Sequence, residues 1–244
     1  MAGNDGYTKL LLHANEADTS TTPADSSGSA HTMTANGNAQ VDTAQVPPLT
    51  GATGALLFDG ATDYFSSPDS TDWNLGASGA GNDWTIDLWY RPVSNGNDTF
   101  FWVGGGGATG WVIYREQSNS SIDIFSDGAH DYISFSPTLD TWVHVAWVKS
   151  GTTITMYVAG TSTGTSADKG MNNDSSALLI GSDNGGAYNL DGHLGEVRIS
   201  KGIARWTANF TPETAQYSVD TPSMSSWFRG VALPPVNTWG LILS

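Results

Sequence analysis

The chain has 244 residues, 39% hydrophobic and 11% aromatic, with 24 acidic against nine basic side chains and a net charge of −15. That is apolar mass enough for one β-rich core, which excludes a disordered chain, and its negative field makes nucleic acid and anionic lipid poor partners. Cysteine is absent, so neither a disulfide framework nor thiolate chemistry is available.

Residues 1–6 lack the basic start and apolar stretch of a secretory signal, and no run reaches membrane-spanning length. The expectation is synthesis in the cytoplasm without membrane insertion. The first predicted strand covers residues 8–13. Residues 14–50, rich in Ser, Thr, Ala, Asn and Asp and closing on Pro47-Pro48, read as one long polar, ordered loop. Strands are predicted at 55–58 and 64–66. At 84–90 the run alternates at period two, with Trp84, Ile86, Leu88 and Tyr90 on one face and Thr85, Asp87 and Trp89 on the other. Further strands are predicted at 99–103, 111–115, 121–125, 132–135, 142–149, 153–158, 177–180 and 192–199. Glycine-rich breaks such as 104–107 and Asn184-Gly185-Gly186 separate them. Many short strands at this spacing, with no long amphipathic helix, predict an all-β, two-sheet antiparallel jelly-roll sandwich.

The tail from residue 212 departs from this rhythm. Pro212, Pro222, Pro234 and Pro235 oppose regular structure, yet Trp227, Phe228, Trp239, Leu241 and Ile242 are too apolar to be left in water. These five are candidate interface residues, and the tail is expected to pack on its own domain or on a neighbouring chain, as in a homo-oligomer or a larger assembly. The domain proper is then 1–211.

Several stretches carry a resemblance. Leu56-Leu57-Phe58-Asp59-Gly60-Ala61-Thr62-Asp63-Tyr64-Phe65, Trp84-Thr85-Ile86-Asp87-Leu88-Trp89-Tyr90-Arg91-Pro92, Trp142-Val143-His144-Val145-Ala146-Trp147-Val148, residues 153–160 and Gly192-His193-Leu194-Gly195-Glu196-Val197-Arg198-Ile199-Ser200 are similar, in this order, to motifs of the laminin-G-like, concanavalin A-like superfamily. Departures are Asp87 for the usual Glu, Ala159 where Asn is common, and Gly195 for an Asp. Lys9-Leu10-Leu11-Leu12-His13, Asp25-Ser26-Ser27-Gly28 and the run from Ile199 to Pro212 resemble laminin-G-like modules of bacteriophage virion proteins. That resemblance implies a non-enzymatic module on a virion surface, assembled in the host cytoplasm as capsid decoration or as part of a fibre or tail. Its partners would be other virion chains or copies of itself, with host cell-surface glycans as a further ligand. The alternative is a free carbohydrate-binding module of a bacterial surface or secreted protein.

The resemblance also directs the search for sites. Glycoside hydrolases of this sandwich use closely spaced carboxylates on one strand; the four glutamates here, Glu16, Glu116, Glu196 and Glu213, are each isolated from another acid at that spacing, and no enzyme is expected. The five histidines have no zinc-type spacing. Relatives hold a structural calcium, implied here at Asp25 and Glu196, with Asp59 and Asp63 as further candidates. For sugar binding, an exposed aromatic platform is required. With Ile86 and Leu88 facing inward Trp89 faces outward, and with Ile154, Met156 and Val158 inward Tyr157 does too. Trp89 and Tyr157 are thus the candidate ligand-binding residues. Arg198 is expected to pair with a buried acid such as Asp87.

Overall fold

Apolar residues at alternate positions make strands that bury one face, and such strands stack into two layers. The computed structural model describes residues 3–105, 110–173, 175–184, 186 and 188–218, and among them fifteen strands form two antiparallel sheets. In chain order they begin with β1 (Thr8–Leu12), β2 (Thr34–Asn36), β3 (Gln40–Asp42), β4 (Ala55–Asp59), β5 (Tyr64–Ser67), β6 (Trp84–Pro92) and β7 (Asp98–Val103). There follow β8 (Trp111–Glu116), β9 (Ser121–Ser126), β10 (Ala129–Ser134), β11 (Val143–Ser150), β12 (Thr153–Val158), β13 (Thr161–Ala167), β14 (Leu178–Ile180) and β15 (Asp191–Lys201). The eight-stranded sheet runs β13-β12-β11-β6-β15-β4-β3, with β1 also paired to β15; the seven-stranded sheet runs β10-β9-β8-β7-β14-β5-β2. The all-β sandwich expected from the alternation is what the chain forms. No helix among the described residues is long and apolar enough to cross a membrane.

The polar stretch 14–50 is not a loop throughout. It contributes β2 and β3, which form one edge of each sheet. Both are three residues long and only partly apolar, so their sequence carries no period to read.

Between the sheets, Trp84, Ile86, Leu88 and Tyr90 of β6 meet Phe101, Val103, Trp111 and Ile113 of β7 and β8, all at most 1% exposed. At one edge the layers touch directly. A side chain on Gly164 of β13 would come within 2.7 Å of Ile133 of β10, so this edge closes only around a residue without a Cβ.

The outer face of the eight-stranded sheet is covered over β11 and β12. Residues 202–217 cross it as a strap, with Ala204, Trp206 and Phe210 packed on Ala146, Val148 and Tyr157. Trp206 and Phe210 are stacked at 4.0 Å, and the Phe210 amide donates to the Gly160 carbonyl. At the strap's end the Tyr217 hydroxyl donates to Asp87 at 2.8 Å. The Arg198 guanidinium, bonded to Asp87 through Nε at 2.8 Å, lies 3.6 Å over the Tyr217 ring. The pairing of Arg198 with Asp87 follows the sequence expectation.

Candidate functional site

The outer face of the seven-stranded sheet differs from that sealed surface. Along β7 to β10 the core side takes Phe101, Val103, Trp111, Ile113, Ile122, Ile124 and Ile133. The opposite side is ordered by register into two rows across the strands. One is Trp102–Val112–Phe125–His130; the other is Thr99–Tyr114–Asp123–Tyr132. A bulge between Thr99 and Phe101 makes this possible. It turns Phe100 as well as Phe101 into the core, with the Phe100 ring 4.9 Å from that of Tyr90, and keeps Thr99 and Trp102 on the outer face.

These rows form an aromatic surface. Phe125 and His130 stack at 4.2 Å, and His130 lies parallel to Tyr132 at 5.8 Å. Tyr132 is 51% exposed, while Trp102, Tyr114 and Phe125 are half-buried. Beyond β7, Tyr188 of the loop before β15 meets Tyr114 edge-on at 5.2 Å. With Asp183 and Gly105 as walls, they enclose a groove of about 230 Å³. The Thr99 hydroxyl in its floor has no hydrogen-bond partner among the described residues.

Asp123 sets the geometry from beneath. Fully buried, it accepts from the Asp131 amide at 2.9 Å and from Nδ1 of His130. A carboxylate only accepts, so Nδ1 is the donor of this bond and Nε2 is turned away from Asp123. Burial, together with the Asp123 carboxylate opposite it on β9, holds the Tyr114 phenol well above its ordinary pKa. The site therefore combines aromatic rings with a few fixed polar groups, the arrangement that stacks on the apolar face of a ring while bonding its hydroxyls.

The residues singled out in the sequence lie elsewhere. Tyr157 is 2% exposed beneath Phe210, so its place as a platform is corrected: the strap occupies the face it points to. Trp89 is half-buried, edge-on to His144 at 5.6 Å on the same covered sheet. Asp25 accepts from the amides of Leu11, Ser27 and His31 and from the Ser27 hydroxyl. Glu196, at φ 47° in a β15 bulge, accepts from His13 and from the Tyr217 amide. Asp63 takes the amides of Asn38 and Asp59, and Asp59 that of Ala61. A calcium ion does not fit this set. Asp25, Asp63 and Glu196 each have both oxygens committed to protein donors, and among the described residues no three His, Cys, Asp or Glu side chains gather as ligands. Trp227, Phe228, Trp239, Leu241 and Ile242 lie outside the described residues.

The groove was readable only in part. Trp102, Tyr114, Phe125 and Tyr132 stand out of phase with the core positions of their strands, and that was the available signal. The contribution of Tyr188 and Asp183, from a loop distant in sequence, has no local signature.

Comparison with solved structures finds the same fold in other proteins. Domain 4 of AbnA, an extracellular arabinanase from Geobacillus stearothermophilus, in complex with arabinotriose, has a TM-score of 0.58 at 16% identity over 81% of this chain and 93% of its own. The binding domain of botulinum neurotoxin DC is similar at TM-score 0.55 and 14% identity in complex with rat synaptotagmin II, and at 0.54 and 17% in complex with SialylT. This chain spans about half of those toxin chains, 48% and 47%. At such identities the likeness is one of fold. No curated protein matches the sequence. A family model does: residues 59–205, more than half the chain, match Laminin_G_3, and the protein belongs to the concanavalin A-like lectin/glucanases superfamily.

Proposed function

We propose that this protein is a non-catalytic carbohydrate-binding module that holds glycan in the aromatic groove of its seven-stranded sheet. The observation that carries this reading is the pair of rows across β7–β10, which leaves Trp102, Phe125, His130 and Tyr132 accessible in register on an otherwise well-packed protein. Arabinotriose and SialylT in the fold neighbours lend support to glycan as the ligand class. A virion appendage is one setting for such a module, supported by the resemblance of the run from Ile199 to Pro212. The aromatic residues of that run, Trp206 and Phe210, cover the eight-stranded sheet, so they speak for the fold more than for a setting.

Binding of a plant and bacterial polysaccharide panel, followed by affinity electrophoresis, tests the proposal. Trp102→Ala and Tyr188→Ala each remove a stacking surface worth about 1 kcal/mol beyond area burial, so affinity falls about tenfold or more. Unchanged affinity in both variants, with native circular dichroism, overturns it.

A further inference from the structure

The groove carries more information than its shape. In residues 98–134 the acids are Asp98, Glu116, Asp123, Asp127 and Asp131, and the single base is Arg115. Arg115 points away from the groove, into the sandwich, where it is 2.6 Å from the buried Asp98 carboxylate. Lys169 is held by Asp131 of β10 at 3.1 Å. Among the described residues, no Lys or Arg lines the groove, while Asp183 stands at its rim and Asp123 beneath His130. The Tyr132 phenol, whose ring lies parallel to His130 of the groove, is raised above its ordinary pKa by desolvation and by the charges of Asp123 and Glu116, in keeping with a negative local field. A carboxylate or sulfate entering here would lose hydration and meet like charge with no lysine or arginine to receive it.

The length of the platform is fixed too. From Trp102 on β7 to His130 on β10 is three interstrand steps, about 14 Å at the usual strand spacing. Each step is close to the length of one sugar ring along a chain.

Resting on the glycan-binding reading, we propose that the groove takes an uncharged oligosaccharide, about three rings long, laid across β7–β10, and rejects acidic glycans. The hydroxyls of such a chain meet Nε2 of His130, Asp183 and the tyrosines, and its apolar faces meet Trp102 and Phe125.

Affinity electrophoresis of the full chain through gels of arabinan, galactomannan and xyloglucan, and of polygalacturonate, alginate and hyaluronate, tests the charge rule. At least one neutral polymer should retard the protein, equally at about 20 and about 500 mM NaCl because no ion pair is screened, and Trp102→Ala should abolish it. Calorimetry with fragments of that polymer should show affinity rising to about three units and levelling there. Retardation by an acidic polymer that weakens with salt and is lost in Trp102→Ala overturns this inference and leaves the groove reading intact. Saturation at one unit does the same, since the site is then a pocket for a chain end. Retardation unaffected by Trp102→Ala, or none by any polymer, overturns both.

Discussion

Asp87 illustrates how one buried charge organises a surface. Burial alone would raise its carboxyl; the Arg198 charge, the nearby His144 ring and the Arg198 hydrogen bond outweigh that and hold it at about 2. Because folding lowers this pKa, its contribution is full above the ordinary value of 3.8 and is lost as pH falls from there through about 2. That contribution is about 2 kcal/mol. Between about pH 6 and about pH 2.5, still just above the folded value, Asp87 should account for a difference of about 1.5 kcal/mol in urea melts of the native protein. Asp87→Asn leaves Arg198 without its counter-ion and costs about 3 kcal/mol near neutral pH, while flattening the acid dependence. An acid dependence as steep in Asp87→Asn as in the native chain would show that other carboxylates govern acid unfolding. The Asp87–Arg198 pair was legible because both lie on strands whose alternation assigns their faces. The Tyr217 partner was not, since nothing in a coil sequence marks which strand it will reach.

At the scale of elements, the strap and the groove give the two sheets different tasks. Alternation in β6 and β12 correctly turned Trp89 and Tyr157 away from the core. It could not distinguish water from the strap as what they face. The strap's own pair, Trp206 and Phe210, was the missing cue, because two aromatics shortly after a last strand need a surface to cover. Trp206→Ala removes a ring stacked on Phe210 and edge-on to His144 at 5.9 Å. It should lower stability by about 2–3 kcal/mol, and leave glycan affinity of the folded protein unchanged. Trp102→Ala should do the reverse, with little change in melting temperature and a large loss of affinity. If both variants lose affinity alike, the site is not confined to the seven-stranded sheet. The anchoring of the polar stretch 14–50 belongs to this scale as well. Asp25 and Glu196 fasten neighbouring backbone to β1 and β15 through protein donors, so melts in excess calcium and in chelator should coincide. A rise in melting temperature with calcium would place an ion elsewhere on the chain.

For the whole molecule, the question is whether a glycan held in the groove is also cut. A retaining hydrolase needs two carboxyls about 5 Å apart, facing the bond from either side, and an inverting one needs a wider pair with room for water. Either way, both carboxyls must reach the sugar. Asp123 cannot. It is 0% exposed, with the His130 ring and the Asp131 amide bonded to its oxygens. Of the glutamates, Glu196 is sealed between His13 and Tyr217, and Glu16 is bonded to the Ala24 amide in the N-terminal region. Glu116 accepts from Ser118 at the far end of β8, and Glu213 belongs to the strap. Among the described residues Asp183 is the one acid that lines the groove, and one carboxylate can receive hydroxyls but cannot serve as both acid and nucleophile. Prolonged incubation with whichever neutral polymer retards the protein should accordingly release no reducing ends. Turnover that survives purification and disappears in Asp183→Asn would make the groove an active site and require a second carboxyl to move into it.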